Sequence, residues 1–237
     1  MKLFRQLVTA NKGVVTIDTD DQRVVNHFDN PANHADIVLD TFNNDRFYDE
    51  FFKGWSDLTI LDIGGNIGLF SLYIQDCAKA VYPIEPTPRH FAILQQLTKD
   101  YPNIHPVNVA LHNQNEDIEF YISDNNTTMN SSINHYGTTT IVQGRTIRTL
   151  ISDLGLDKVD FVKCDIEGSE MIALTDETIA EVKDIVSVWS IEVHATDATL
   201  HPTVSINHNR DHIMQILKKN GYTTFKHRTD CIYAYRT

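Results

Sequence analysis

Long hydrophobic runs are missing from this sequence. Nowhere does it approach the ~18 consecutive apolar residues of a bilayer-crossing helix, so no membrane insertion is expected. Positive charge is scarce: 20 Lys and Arg stand against 32 Asp and Glu, a net charge of −12. That balance argues against a nucleic-acid partner, which calls for a basic stripe. Cysteine is sparse, and Cys77, Cys164 and Cys231 lack metal-ligand spacing; Cys164 lies in an apolar run as a buried thiol. Met1-Lys2-Leu3-Phe4-Arg5 is basic, but no apolar segment precedes the polar Thr9-Ala10-Asn11-Lys12. No secretory signal is expected, and a reducing cytoplasm is the expected compartment. No Gly-Lys-Ser/Thr follows a glycine-rich turn, which excludes a P-loop. What is present is 41% apolar content over 237 residues, enough for one α/β domain with a full core.

The chain is organised around Leu58-Thr59-Ile60-Leu61-Asp62-Ile63-Gly64-Gly65-Asn66-Ile67-Gly68-Leu69-Phe70-Ser71. An apolar run of strand length leads into a turn with three glycines, and an apolar helix is expected from Ile67 to Ala78. Gly64 and Gly65 leave room for a ligand to touch the main chain. Dinucleotide binding wants G-x-G-x-x-G, but here the spacing is Asp62-x-Gly64-x-Asn66-x-Gly68. An acid at the mouth repels phosphate and suits a ligand with an amine and a sulfonium, the profile of S-adenosylmethionine.

A second strand, Ala80 to Glu85, ends in an acid about 20 residues past the loop, where a carboxylate can accept from both ribose hydroxyls. Thr87 and Pro88 then open a helix as N-cap and N1. Ile104 to Leu111 reads as the third strand, its tip near Asn108 bordering the adenine. After it comes an inserted hairpin, Asp117 to Ile122 with Thr138–Val142 and Arg145–Leu150, and the polar Asn125–Ser132 stretch between reads as a flap. The fourth strand ends at Asp165 and the fifth at Glu192-Val193-His194. Period-2 alternation puts Asp165 on the face of Lys163 and Glu192 on that of His194. Asp62, Glu85, Asp165, Glu192 and His194 all fall at carboxyl ends of strands, where open α/β sheets bind ligands. A last helix, Ile206 to Asn220, stops at Gly221, and two strands close the chain. One domain is expected over 1–237, with a core at 57–237. Residues 1–56 form an extension with a strand at Val14–Ile17, another at Arg23–Phe28 and a helix, Asp40 to Trp55, packed by its aromatic face, with a lid or wall for the acceptor as the alternative reading.

Asp62-Ile-Gly-Gly-Asn-Ile-Gly68, Ile84-Glu-Pro-Thr-Pro88, Asn108-Val-Ala-Leu111 and above all Asp160-Phe-Val-Lys-Cys-Asp-Ile-Glu-Gly-Ser-Glu170 resemble the FkbM family of class I S-adenosylmethionine-dependent methyltransferases, in order from about residue 58 to 222. Gly65 stands where that family usually has alanine. The resemblance implies a Rossmann-like, seven-stranded, mostly parallel sheet with helices on both faces and the last strand antiparallel. It also implies O-methylation of a hydroxyl on a sugar, glycan or secondary metabolite. By motif position, Asp62, Gly64, Gly65 and Asn66 hold the methionine part and Glu85 the ribose. Pro86, Asn108 and Ala110 edge the adenine, and Asp165 lies beside the methyl group.

Such a hydroxyl needs a base, and His194 suits that role by residue type, with Asp165 and Glu192 completing the catalytic set. Asp165, Glu167, Glu192 and His194 can instead gather a divalent metal, oxygen-rich sites suiting Mg or Mn. The expectation is a metal-free base and no metal ligand. Two other readings stay open: a regulatory module that binds the cofactor without turnover, and a methyltransferase acting on another acceptor class. A nicotinamide-dependent dehydrogenase is disfavoured by the glycine spacing. The absence of Asn/Asp-Pro-Pro-Tyr/Phe weakens nucleic-acid methylation.

Overall fold

The computed structural model describes residues 52–122, 130–133, 137–196 and 205–236, with the backbone alone of 8–11 and 14–17. β1 (Val8–Asn11) and β2 (Val14–Ile17) form an antiparallel pair. The strand expected at Arg23–Phe28 and most of the aromatic helix, with Phe42, Phe47 and Phe51, lie outside the described residues. The described end of that segment is a turn rather than a helix: Trp55 N–H donates to Phe52 O, and Gly54 takes φ +82°. Phe52 is buried edge-on against Phe161, with ring centroids 4.8 Å apart.

β3 (Leu58–Ile63) runs between β4 (Ala78–Ile84) and β8 (Val159–Cys164), parallel to both, which is why it is apolar on both faces. Between β3 and β4, α1 (Leu69–Ile74) is buried throughout but shorter than expected; a 3₁₀ turn at Gln75–Cys77 ends it, and Ala78 already belongs to β4. α2 (Pro88–Thr98) follows β4. The third expected strand is divided. Its first part hydrogen-bonds along β4 through His105 N–H to Val81 O and Val107 N–H to Pro83 O. At Asn108 the side chain takes over, donating to Glu85 O and Pro86 O, and this ends the backbone ladder. β5 (Ala110–Leu111) then leaves to pair with β7 (Thr138–Arg145), which also pairs antiparallel with β6 (Asp117–Ile122). The inserted hairpin is thus a separate three-stranded sheet.

α3 (Ile147–Asp153) is capped by Thr146, whose Oγ1 accepts from Thr149 N–H. Short α4 (Glu170–Ala173) and α5 (Asp176–Ala180) lead to β9 (Val186–Glu192). α6 (Ile206–Lys219), capped by Ser205, leads to β10 (Thr223–Lys226) and β11 (Cys231–Tyr235). Among the described residues the main sheet has six strands in the order β10-β11-β9-β8-β3-β4, with β11 antiparallel to both neighbours. Alternation along its strands splits the core between two faces. Leu61, Ile63, Val162, Trp189 and Ile191 pack with residues of α3, α5 and α6. Ile60, Phe161 and Val188 pack with α1 and Leu97. Helices therefore cover both faces of a Rossmann-like sheet, and β3, β4, β8 and β9 open their carboxyl ends onto one edge. No helix among the described residues is long and apolar enough to cross a membrane.

Candidate active site

The turn after β3 is built by contact with its neighbours. Asp62 is fully buried, and its Oδ2 accepts from Ser71 Oγ at 2.7 Å, tying strand to helix. Its Oδ1 has no hydrogen-bond partner and lies 3.9 Å from Lys163 Nζ. Burial pushes the Asp62 pKa up, against the pull of Lys163. Gly64 takes φ +80°, and a Cβ there would fall 1.8 Å from Asp165 O. The N–H groups of Gly64 and Gly65 both donate to Ile84 O at 3.0 Å. The alanine that the resemblance expects at 65 would place its Cβ 2.8 Å from Pro83 Cβ, which gives glycine a local reason. Asn66, at φ +49°, donates its N–H to Glu85 Oε2 at 3.0 Å.

Glu85 is buried at the end of β4. Its other oxygen accepts from Thr87 N–H at 2.8 Å, and His90 Nδ1 lies 3.8 Å away. Burial pushes its pKa up to about 7. Each carboxylate oxygen keeps a further lone pair for a ligand. Thr87 begins α2 as expected, yet its hydroxyl makes no cap bond; instead it accepts from Asn130 Nδ2. A cavity of about 310 Å³ opens here, lined by Asp62, the Gly64–Asn66 turn, Glu85, Pro86 and Ala110, and continues to Asp165, Glu192 and His194. Asn108 is not among its lining residues. Its amide donates to the two carbonyls at the tip of β4.

At the other end of the cavity the turn Asp165-Ile166-Glu167-Gly168 is shaped by Glu170. That fully buried carboxylate accepts from Ile166 N–H and Gly168 N–H, both at 2.9 Å. Glu167 is held at φ +54°, unusual for a residue with a side chain. Lys163 Nζ donates to Asp165 Oδ2 at 3.1 Å, as the shared strand face predicts. Burial opposes ionisation of Asp165, but Lys163 and His194 outweigh it and hold its pKa low. Burial and the neighbouring carboxylates push Glu167 up to about 8 despite His194. Burial and Asp165 push Glu192 up to about 7, while Arg228, 3.3 Å away, pulls it down.

His194 sits among three carboxylates. Its Nδ1 sits 3.1 Å from Glu170 Oε1, and its Nε2 lies 3.6 Å from Glu167 Oε2 and 3.8 Å from Asp165 Oδ1. Burial disfavours the charged ring, but three carboxylates outweigh burial and push its pKa up to about 10. Those neighbours favour the protonated ring, which weighs against a free base.

Several lining residues carried no sequence signal. Arg228 reaches Glu192 only because the β10–β11 hairpin folds back beside β9, and His227 and Tyr233 arrive with it. His90 also lines the cavity. Of the expected flap, residues 123–129 lie outside the described residues, but 130–132 can be placed. Ser131 Oγ donates to Glu167 O at 2.9 Å, and Ser132 bonds Ser169 Oγ through both its N–H (3.0 Å) and its hydroxyl (2.7 Å). With Asn130 on Thr87, this strap joins the carboxyl ends of β4 and β8. Ser169→Ala removes the anchor of Ser132. At about 1 kcal/mol per bond, exchange of the Ser132 amide should accelerate roughly 5- to 30-fold. Unchanged exchange would show that the strap is held elsewhere.

The sequence profile of the methyltransferase FkbM domain matches residues 62–224, well over half of the chain. No curated protein sequence matches. Among solved structures, magnesium protoporphyrin IX methyltransferase from Synechocystis PCC 6803, with bound S-adenosylmethionine, is 14% identical with a TM-score of 0.51, over 93% of this chain and 92% of that one. A S-adenosylmethionine-dependent methyltransferase from Aquifex aeolicus is 13% identical with a TM-score of 0.47, over 91% and 97%. Aeropyrum pernix fibrillarin, with natively bound S-adenosylmethionine, is 14% identical with a TM-score of 0.46, over 77% and 67%. With its open α/β sheet and a glycine turn bordered by acids, the chain belongs to the FkbM methyltransferase family and is an S-adenosylmethionine-dependent methyltransferase.

Proposed function

We propose that the protein methylates a hydroxyl oxygen of a small-molecule acceptor, a sugar, glycan or secondary metabolite, within a single domain working in the cytoplasm. The observation that carries this reading is the far end of the cavity, where Asp165, Glu192 and Arg228 offer acceptors and donors beside the cofactor turn. Such a lining suits a polyhydroxylated acceptor. A net charge of −12 and carboxylates at the mouth speak against RNA or DNA.

Asp62, Gly64, Gly65 and Asn66 receive the methionine part of the cofactor, and the buried Asp62 carboxylate with its unused Oδ1 suits the cationic ammonium. Glu85 accepts from the ribose hydroxyls, while Pro86 and Ala110 flank the adenine. Asp165 would sit beside the methyl group, as its motif position implies. In the reaction the acceptor oxygen forms a bond to the methyl carbon as the carbon–sulfur bond breaks, and that electron pair stays on sulfur. The hydroxyl proton passes to Glu192, which takes the role first read into His194. Arg228 keeps that carboxylate ionised, and burial keeps it basic enough to accept a proton near neutral pH. A cavity that binds both reactants would supply the rest of the rate by positioning them.

A panel of sugars, glycans and hydroxylated metabolites, offered with a methyl-labelled cofactor alongside tRNA and unfolded protein, tests the acceptor class. Label should enter hydroxylated small molecules; label in tRNA or protein alone would overturn the reading. For the ribose contact, Glu85→Ala should weaken binding of the demethylated product about 10- to 100-fold, since a hydrogen bond to a charged acceptor contributes ~1.5–3 kcal/mol. The same carboxyl gives a pH signature. Its pKa is raised to about 7 in the free protein, with His90 and Asp62 as the titratable groups facing it, and only the ionised form accepts both ribose hydroxyls. Cofactor affinity should therefore rise between pH 6 and pH 8, and Glu85→Gln should flatten that rise. A rise that persists in Glu85→Gln would assign it to another group.

A further inference from the structure

We infer that Asp165, Glu167 and His194 form a binding site for a divalent first-row metal ion at the acceptor end of the cavity, with Glu170 orienting the imidazole. The inference reverses the metal-free expectation and deepens the O-methylation reading, on which only the ion's purpose rests.

One donor atom from each of the three residues lies within 4.8 Å of the others. The distances from His194 Nε2 to Glu167 Oε2 (3.6 Å) and Asp165 Oδ1 (3.8 Å) are too long for hydrogen bonds. The shorter falls within, and the longer slightly beyond, the roughly 3.0–3.6 Å that separates neighbouring ligand atoms around one ion with bonds of about 2.0–2.2 Å, so an ion needs only a small inward shift of Asp165 Oδ1. The ring is turned so that Nε2 faces this point, and its turning has an identifiable cause. Glu170, fully buried and fixed by two backbone N–H groups, holds Nδ1 at 3.1 Å. A carboxylate bonded to the remote nitrogen sets the tautomer that presents Nε2 as a ligand, the outer-shell arrangement typical of metal-binding histidines.

The charges point the same way. Lys163 serves Asp165 through Oδ2 and also approaches Asp62, so Oδ1 is the oxygen left for the site. Arg228 lies against Glu192 and Asp230. Asp165 Oδ1, Glu167 and Glu170 all approach a single imidazole, so their oxygens are placed to meet a cation there. One nitrogen with carboxylate oxygens suits Mn²⁺ or a neighbouring first-row ion better than the all-oxygen environment Mg²⁺ prefers. There the ion would hold the acceptor hydroxyl and lower its pKa.

The test is titration of the chelator-treated full chain with Mn²⁺ alone, read by paramagnetic resonance and calorimetry, with binding of the demethylated cofactor measured in parallel. One Mn²⁺ per chain is expected. Its affinity should fall at least 10-fold in His194→Ala and in Glu167→Gln, and about 10- to 100-fold in Glu170→Gln. Thermal melting of each variant reports folding, and Glu167→Gln, on a partly exposed side chain, keeps the test open should His194→Ala unfold. Absence of stoichiometric Mn²⁺ binding, or binding indifferent to both ligand substitutions, overturns the site while cofactor binding leaves the methyltransferase reading standing. Mn²⁺ bound at these residues with no cofactor affinity keeps the site and removes its purpose.

Discussion

Gly64→Ala should abolish cofactor binding and destabilise the chain by more than about 4 kcal/mol, beyond the range of ordinary substitutions. Two costs add. The residue sits at φ +80°, where a side chain costs about 1–2 kcal/mol. Its Cβ would also lie 1.8 Å from Asp165 O and 2.9 Å from Asp165 C, both backbone atoms. Relief requires moving the chain after β8 away from β3, which breaks the bond from Asp165 N–H to Ile63 O at 3.0 Å and displaces Asp165. Gly65→Ala is the control. Its Cβ would meet Pro83 Cβ at 2.8 Å, its φ is not positive, and a smaller loss is expected. Thermal melting and calorimetry on the two variants decide the matter; equal effects would mean that the junction of the two strand ends is not the structural centre of the site.

Glu192→Gln should lower turnover by about 10²–10⁴ while leaving affinity for the demethylated cofactor within a few fold. The substitution keeps the shape of the carboxylate at the end of β9 and removes its capacity to accept a proton. The paired Arg228, 3.3 Å away, also neighbours Asp230 at 3.3 Å, so it retains an anionic partner and the fold should hold. The loss should appear in kcat with little change in acceptor KM. Unchanged turnover would place the base elsewhere, Glu167 being the next carboxylate with a raised pKa on the cavity wall.

Much of this architecture could be read from residues alone because its signals are local. The run Leu58–Ile63 is apolar on both faces because β4 and β8 flank it. Period-2 alternation placed Lys163 beside Asp165, and the two are hydrogen-bonded. Ile213, Ile216 and Leu217 face inward from α6 as their helical spacing required. What escaped the sequence depends on elements that meet only in space. The Glu170 carboxylate shapes the turn before it and grips His194 from another strand. That contact favours the protonated ring, and no spacing within the chain announces it. Asn108 read as an adenine neighbour because it lies at a strand tip, but its amide serves the carbonyls of Glu85 and Pro86. Arg228 enters the site through a hairpin whose return path the sequence does not specify.

Hydroxyl methylation is tested most directly by the atom that receives the methyl group. The protein is incubated with a carbon-13 methyl-labelled cofactor and the acceptor that emerges from the panel, and the product is read by carbon-13 NMR with long-range proton correlation. The account predicts a single new methoxyl carbon correlated to the acceptor's carbinol proton, formed by the wild type and nearly lost in Glu192→Gln. A labelled methyl bonded to nitrogen, sulfur or carbon of the acceptor would contradict it.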